Sequence, residues 1–321
     1  MRILVLGAGA LGGYYGARLL QVGGDVTFLV RPKRKELLRA NGLAIKSAFG
    51  DIQSEVKTVL AENVGPLYDM VLLTCKAYDL DDAIASIAPA VADHTMILPL
   101  LNGLSAYDDL DRRFGRRRVL GGLAYIATKL MSNGDISHLS QFDRLIIGTR
   151  DRVQADAARD IYEIFSRTPG DRTLSQRVEH QLWEKWVMVC AGAAATCLMR
   201  STIGRIMHTA SGEHLIRALI SECQQIAQQS GFALNQVALE SIEASLLDPR
   251  STWAASMMRD IESGTRQIEA DAIVGDMIRR AKPHAIETPY LDIAYSHLQA
   301  YDFQRGAHEQ VRSCRLFLTY D

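Results

Sequence analysis

Arg2-Ile3-Leu4-Val5-Leu6-Gly7-Ala8-Gly9-Ala10-Leu11-Gly12 runs a short apolar segment straight into Gly-x-Gly-x-x-Gly. A buried strand, a tight turn and a helix N-terminus together account for that pattern. Gly7 permits the turn, Gly9 lets a pyrophosphate approach the backbone, and Gly12 lets the helix pack close on the strand. Ala8, Ala10 and Leu11 complete the same turn. The helix that follows, Leu11 to about Gln21, points its positive end at the phosphates. The segment predicts a dinucleotide site.

The second strand bears on which dinucleotide. After Gly23-Gly24, the run Asp25-Val26-Thr27-Phe28-Leu29-Val30 reads as that strand. An acidic residue at its end would grip ribose hydroxyls, but here the strand ends in Arg31, with Lys33, Arg34 and Lys35 behind it. A guanidinium can fork onto a 2′-phosphate that a carboxylate would repel. Arg31 therefore favours NADPH/NADP+, whereas Lys35 reads as part of a solvated helix start.

With 321 residues, the chain is long for one core and suits two domains. A net charge of −1 and 48% apolar content argue against a polyanion-binding surface, so neither nucleic acid nor membrane is an expected partner. The arginines at 112, 113, 116, 117 and 118 read as a solvated helix end. Five scattered cysteines without CxxC spacing indicate reduced thiols, and the histidines lack ligand spacing, so no metal is expected. The longest apolar stretch, Trp186–Met199, has 14 residues, too few to cross a bilayer core of about 30 Å, and fits a buried helix. A nucleotide-binding strand starting at residue 2 leaves no room for a targeting segment, so the expected compartment is the cytoplasm.

Strands alternate with helices through the first half. Strands are expected at 25–30, 43–47, 51–59, 70–74 and 96–100, with helices at 35–40, 79–91 and 106–114. Further β-rich pieces fall at 119–130, 134–138 and 145–148, and 151–166 is an amphipathic helix. Unbroken apolar strands separated by helices indicate a parallel sheet covered on both faces. Thr168-Pro169-Gly170-Asp171 reads as a linker. Beyond about Ser175 only helices are suggested, at 178–200, 213–230, 235–247, 256–262, 270–281 and 289–304. The expected fold is α/β: a Rossmann-type doubly wound sheet over 1–167 that binds NADP, followed by an all-helical domain over 168–321, to which the resemblance given below assigns substrate and catalysis. The apolar tail, Cys314 to Tyr320, is expected to pack against something.

Two loops at the carboxyl ends of strands are candidates for chemistry, since ligands of such sheets bind there. In Thr74-Cys75-Lys76-Ala77-Tyr78, Lys76 is either a cleft cation for phosphate or carboxylate, or a surface lysine at a helix start. In Leu101-Asn102-Gly103, Asn102 either offers its amide beside the cofactor or simply makes an Asn-Gly turn. Lys185, in Leu182-Trp183-Glu184-Lys185-Trp186, lies one step before the apolar stretch. Desolvation there would lower its pKa and suit it to give a proton to a carbonyl oxygen; the alternative is an amine that snorkels to water. Ser256, at a helix start, reads as a cap, and Glu269 with Asp271 as first-turn carboxylates.

Taken together and in order, these residues resemble the ketopantoate reductase (2-dehydropantoate 2-reductase) family over nearly the whole chain. The resemblance rests on Leu6 to Gly12, Arg31, Lys76 in its TCKA, Asn102 in its LLNG and Val119 to Gly122. It extends to the Trp183-Glu184-Lys185 triplet, Ser256-Met257 with Asp260, and Glu269 with Asp271. It implies a Rossmann domain joined to a helical domain, and reduction of a branched 2-oxo acid by NADPH in a monomer or homodimer. It further implies that Lys185 is the general acid, that Glu269 holds that lysine or the ligands, and that Asn102 bridges nicotinamide and substrate. Lys76 would support the cofactor and the lysine, and Ser256 would bind the substrate carboxylate.

Three positions depart from the family pattern. The two helix asparagines that follow the lysine by four and eight residues are Val189 and Ala193 here, and the proline after the second is Ala194. Thr196 is the polar candidate left on that face. Ser256 and Glu269 also stand one residue further apart than usual, which calls for a small bulge or a shifted helix start. The reading is an NADPH-dependent reductase of ketopantoate or a close 2-oxo acid. Its rivals are a reductase of a more apolar 2-oxo acid or ketone, and a non-catalytic NADPH sensor.

Overall fold

The structure, a computed structural model, describes the backbone of residues 1–317 and the side chains of residues 1–305. The chain divides into two compact units. One holds Met1–Leu101 and Ser105–Leu182; the other holds Asn102–Leu104 and the chain from Trp183 on.

In the first unit, β1 (Arg2–Leu6), α1 (Ala10–Gln21), β2 (Asp25–Leu29) and α2 (Pro32–Asn41) form the expected opening. Next come β3 (Leu43–Lys46), β4 (Ile52–Ser54), β5 (Lys57–Val59), β6 (Met70–Leu73), α3 (Leu80–Ile87), β7 (Met96–Pro99) and α4 (Ser105–Phe114). The unit continues with β8 (Gly121–Tyr125), β9 (Thr128–Leu130), β10 (Ile136–His138), β11 (Arg144–Gly148), α5 (Ala155–Ser166) and β12 (Asp171–Ser175). A parallel sheet runs in the order β5-β2-β1-β6-β7. Its order turns back between β1 and β6, and the crevice at the carboxyl ends of those strands is where such sheets take ligands. Every residue of β6 and β7 is buried, which explains their unbroken apolar runs.

Two smaller sheets were not foreseen. The expected strand 51–59 breaks around Glu55, so that β4 pairs antiparallel with β3 while β5 joins the parallel sheet. The expected piece 119–130 likewise divides, β8 pairing with β11 and β9 with β10.

The largest correction concerns Asp171–Ser175. It is a strand parallel to β11, not the far end of a linker. Only Ser175 in it is buried, so this edge strand carries no apolar alternation to betray it. Thr168 is pinned to the Phe165 carbonyl through both its N–H (2.9 Å) and its hydroxyl (2.6 Å), and the Asp171 N–H bonds the Asp143 carbonyl. The division between units therefore falls after Leu182 rather than at 167/168.

The same turn is held by a buried charge. Asp143, 2% exposed, accepts hydrogen bonds from Tyr14 (3.0 Å) and Tyr15 (2.8 Å) of α1 and pairs with Arg172 of β12 at 2.6 Å. Arg172 also donates to the Pro169 carbonyl. One carboxylate thus ties α1, the strand before α5 and the strand after it.

The second unit is helical, as expected: α6 (Val178–Met199, begun in the first unit), α7 (Ile203–Met207), α8 (Gly212–Gln229), α9 (Gln236–Leu246), α10 (Ser256–Glu262), α11 (Asp276–Ala281) and α12 (Pro289–Phe317). A π-helical turn, Asp271–Gly275, leads into α11. Among the described residues, α6 is the one helix long and apolar enough to cross a membrane, at 22 residues rather than a stretch of 14. Trp186, Val187, Cys190, Ala191, Ala193 to Ala195 and Cys197 are all buried, so α6 is apolar because it is a core helix. Buried Glu222 of α8 accepts from the Tyr290 and Leu291 N–H groups, both at 2.9 Å, which supplies α12 with its N-terminal acceptor. The tail side chains expected to pack, Cys314 to Tyr320, lie outside the described residues.

Removing one member of a buried ion pair leaves its partner charged and unpaired, at a cost of about 3–5 kcal/mol. Asp143→Ala should therefore lower unfolding stability by that amount in urea denaturation. A loss near zero would show that the cluster contributes nothing net to the fold.

Candidate active site

The Gly-rich turn has the geometry of a phosphate cradle. Gly7 adopts φ +82°, a conformation that disfavours any side chain, and its N–H bonds the Leu29 carbonyl at 2.8 Å. A Cβ on Gly12 would lie 2.6 Å from the Gly7 carbonyl oxygen and against the Thr74 hydroxyl, so only glycine lets α1 start this close to β1. A Cβ on Gly9 would meet nothing within 4 Å and would project into open space. Gly9 is the N-cap of α1 and its terminus has no side-chain cap, which leaves the N–H groups of Ala10, Leu11 and Gly12 for an outside acceptor. An open, uncapped helix start fits a pyrophosphate.

Arg31 ends the β2 segment on the surface, its side chain 77% exposed. No acid stands beside it in sequence, yet the fold supplies one: Asp79, from the turn after β6, pairs with its guanidinium at 3.2 Å. Such an exposed pair is worth about 0–1 kcal/mol and exchanges readily. Lys76 is half-buried and immediately precedes the short turn Ala77–Asp79 that presents this carboxylate.

The remaining candidates belong to the second unit, and Asn102 joins them. A Cβ on Gly103, at φ +82°, would come within 2.5 Å of the Ala272 carbonyl oxygen and 3.7 Å of the Trp186 indole nitrogen. That indole donates to the Ile273 carbonyl at 2.9 Å, and the Ile273 N–H donates to the Glu269 carbonyl at 3.0 Å. The loop tip carrying Asn102, the start of α6 carrying Lys185 and the π-turn segment following Glu269 are thereby packed into one cluster. Glu269 is 5% exposed. Burial pulls the Lys185 amine down to about 8, and the Glu269 carboxylate opposes that fall. At neutral pH the result is an ammonium that releases its proton easily.

Ser256 is the first residue of α10 and half-buried. The loop 263–268 separates it from Glu269 and turns on Gly264 at φ +71°. Thr196 is a correction. It is 0% exposed, its hydroxyl donates to the Gly192 carbonyl at 2.7 Å, and it accepts the Ala255 N–H at 3.4 Å. It fastens the start of α10 to α6 and has no surface to offer a substrate. Ala193 is also fully buried, whereas Val189 is partly exposed, so of the two family asparagine positions only Val189 reaches a surface.

Sequence reasoning missed four participants. Asp79 lies 48 residues from the arginine it neutralises, and nothing local connects them. Trp186 looked like core, and its indole bond to the π-turn has no sequence signal. The ring of Trp253 lies over Gly192, where a Cβ would be 2.7 Å from it. Arg34 was visible only as one of a basic cluster, yet it bonds the Gly-rich turn.

Comparison with known proteins agrees with this geometry. The family model described as ketopantoate reductase PanE/ApbA matches residues 3–152, and its C-terminal counterpart matches residues 177–302. The chain belongs to the ketopantoate reductase family. It is thus an oxidoreductase acting on a C=O/CH–OH pair. An uncharacterized oxidoreductase, YkpB, of Bacillus subtilis (strain 168) is 33% identical over 305 residues, covering 95% of this chain and 100% of that protein. The crystal structure of 2-dehydropantoate 2-reductase from Geobacter metallireducens GS-15 is 28% identical with a TM-score of 0.84, covering 94% of this chain and 99% of that one. The ternary structure of D-mandelate dehydrogenase with NADH and anilino(oxo)acetate shares the fold, with a TM-score of 0.87 at 19% identity over 95% of this chain and 100% of that one.

The electrostatics of Lys185 are directly measurable. Its side-chain resonances should titrate with a midpoint near 8. Glu269→Gln removes the charge that holds the amine up, so the midpoint should move lower still. A midpoint in the ordinary lysine range, near about 10.4, would mean that the amine is solvated.

Proposed function

We propose that the protein reduces the carbonyl of a 2-oxo acid to the 2-hydroxy acid with NADPH, taking the proton from Lys185. The observation that carries this is the Lys185 amine, drawn down to about 8 by burial and steadied by the nearly buried Glu269. A general acid works best when its pKa lies near the working pH, and an ordinary surface lysine is a poor donor there.

When bound, the nicotinamide supplies a hydride to the carbonyl carbon. Lys185 gives a proton to the carbonyl oxygen as negative charge builds on it, and Glu269 offsets the cost of holding that ammonium away from water. Asn102 offers amide donors to the nicotinamide end and the substrate, and Ser256 offers its hydroxyl to the substrate carboxylate. The turn from Gly7 to Gly12 takes the pyrophosphate, with Lys76 as a supporting cation. Arg31 would hold the 2′-phosphate, giving up its exposed pair with Asp79 for a charge-assisted contact. The protein works in the cytoplasm as a monomer or homodimer.

The substrate is ketopantoate or a near relative, and Val189 favours the relative. Val189 stands where the family pattern has an asparagine and cannot hydrogen-bond a distal hydroxyl. A hydrocarbon group at that point of the substrate avoids leaving a polar group unpaired.

Lys185→Ala should lower turnover at least about a hundredfold while cofactor binding persists. Unchanged turnover at saturating substrate would make Lys185 a structural residue.

The substrate assignment is read from NADPH oxidation across a panel of 2-oxo acids. 2-Oxoisovalerate and bulkier apolar 2-oxo acids should exceed ketopantoate in kcat/KM. Val189→Asn should recover up to about tenfold for ketopantoate, the value of one neutral hydrogen bond. Preferred and efficient use of ketopantoate by the unmodified protein would instead show that the missing amide has no effect.

A further inference from the structure

Arg34, in the basic cluster after β2, is half-buried and bonds toward the interior. It sits in the first turn of α2, and its Nε donates to the Ala8 carbonyl at 3.0 Å, inside the Gly-rich turn. Its Nη1 donates to the Gly134 carbonyl at 3.0 Å, in the turn between β9 and β10. That second turn is shaped to receive it: Gly134 has φ +93°, and a Cβ there would lie 2.7 Å from Nη1.

The third nitrogen, Nη2, is buried and has no hydrogen-bond partner among the described residues. Nε and Nη2 share one edge of a guanidinium, so the unpartnered donor lies on the edge that faces Ala8. Burial also holds this guanidinium below its usual pKa, which marks the cost of keeping a charge there. Arg18 and Arg118 also keep a buried nitrogen without a partner among the described residues, so what sets Arg34 apart is that its guanidinium is bonded into the Gly-rich turn. Beneath a helix start that awaits an anion, the same cation is repaid when the anion arrives.

The bond to Ala8 has a directional consequence. A trans peptide points its C=O and its N–H in opposite directions. Holding the Ala8 carbonyl toward Arg34 therefore turns the Gly9 N–H away from Arg34. Without that bond the Ala8–Gly9 peptide is less firmly held, because Gly9, one of the two residues that flank it, has no Cβ to restrain its φ.

We propose that Arg34 is a positioning residue for the cofactor pyrophosphate, locking the Ala8 carbonyl so that the Gly9 N–H faces the phosphates alongside those of Ala10 and Leu11. The inference rests on the reading of the protein as a dinucleotide-dependent reductase, and it assigns Arg34 a different part from Arg31. Arg31 meets a group that only NADPH carries; Arg34 acts on the pyrophosphate common to NADPH and NADH.

The test is titration of the full chain with NADPH, NADH and adenosine 2′-monophosphate, which lacks the pyrophosphate, alongside thermal unfolding. Arg34→Ala should raise Kd for NADPH and NADH by the same factor, about tenfold, and leave adenosine 2′-monophosphate binding unchanged. Arg31→Ala should weaken NADPH and adenosine 2′-monophosphate and spare NADH. KM for the cofactor should follow Kd, with kcat at saturation retained. Should Arg34→Ala fold poorly, Arg34→Lys keeps the charge but cannot hold two carbonyls with one planar fork, and should give a smaller rise at an unchanged Tm. Unchanged Kd values, a loss confined to NADPH, or an equal loss for adenosine 2′-monophosphate would each overturn the role. Failure of the unmodified protein to bind any dinucleotide would instead overturn the functional reading itself.

Discussion

The structure depends on how closely α1 can lie against the parallel sheet. Gly12 lets its first turn approach the Gly7 carbonyl, and one turn on, a Cβ at Gly16 would be 2.5 Å from the Phe28 ring of β2. Two missing side chains thus set the height of the helix above the strands. That height places the uncapped N–H groups of α1 at the carboxyl end of β1, beside the point where the strand order reverses. Buried Tyr14 and Tyr15 on the same helix reach Asp143 and so tie the three-stranded sheet β12-β11-β8 to α1. One helix therefore shapes the cofactor turn at its start and fastens an otherwise peripheral strand pair along its length.

Charge is placed in the first unit according to what each position must do. Arg172 is fully engaged with Asp143 and the neighbouring carbonyls, which suits a structural tie. Arg31 is exposed and paired with Asp79 in a weak surface contact, which suits the ligand exchange proposed for it. Arg34 lies between these extremes, bonded at two nitrogens and unsatisfied at the third. Arg18 and Arg118 each keep an unpartnered Nε among the described residues as well, so the bond to the Gly-rich turn, not the missing partner, distinguishes Arg34.

In the second unit, the proposed proton donor is a lysine at the edge of an apolar helix whose amine feels a nearly buried carboxylate. Burial alone would push the amine further down, and an exposed carboxylate would hold it less firmly; with both at work the lysine lies at about 8. The π-turn Asp271–Gly275 supports this arrangement. It is clamped by the Trp186 indole on one side and by Asp271, bonded to Arg279 and to Tyr295 at 2.7 Å, on the other. Such turns widen a helix locally, cost stability and are found most often where a side chain must be aimed.

Much of this was legible in the residues. The Gly-rich turn, the buried strands, the helical second half and the position of Lys185 follow from short-range rules: positive φ demands glycine, an unbroken apolar run demands burial on both faces, and a helix fixes which residues share a face. What tertiary structure alone decided was the partner of each such group. It brought Asp79 to Arg31, Glu269 to Lys185 and Asp143 to two tyrosines and an arginine. It made an edge strand of Asp171–Ser175, whose sequence carries no strand pattern, because pairing with β11 supplies the hydrogen bonds that its side chains do not advertise. It also withdrew Thr196 and Ala193 from any surface while leaving Val189 at one, since neighbours on a helix face share a direction but not a depth. Local sequence sets conformation and direction; burial and pairing between distant segments depend on the whole fold.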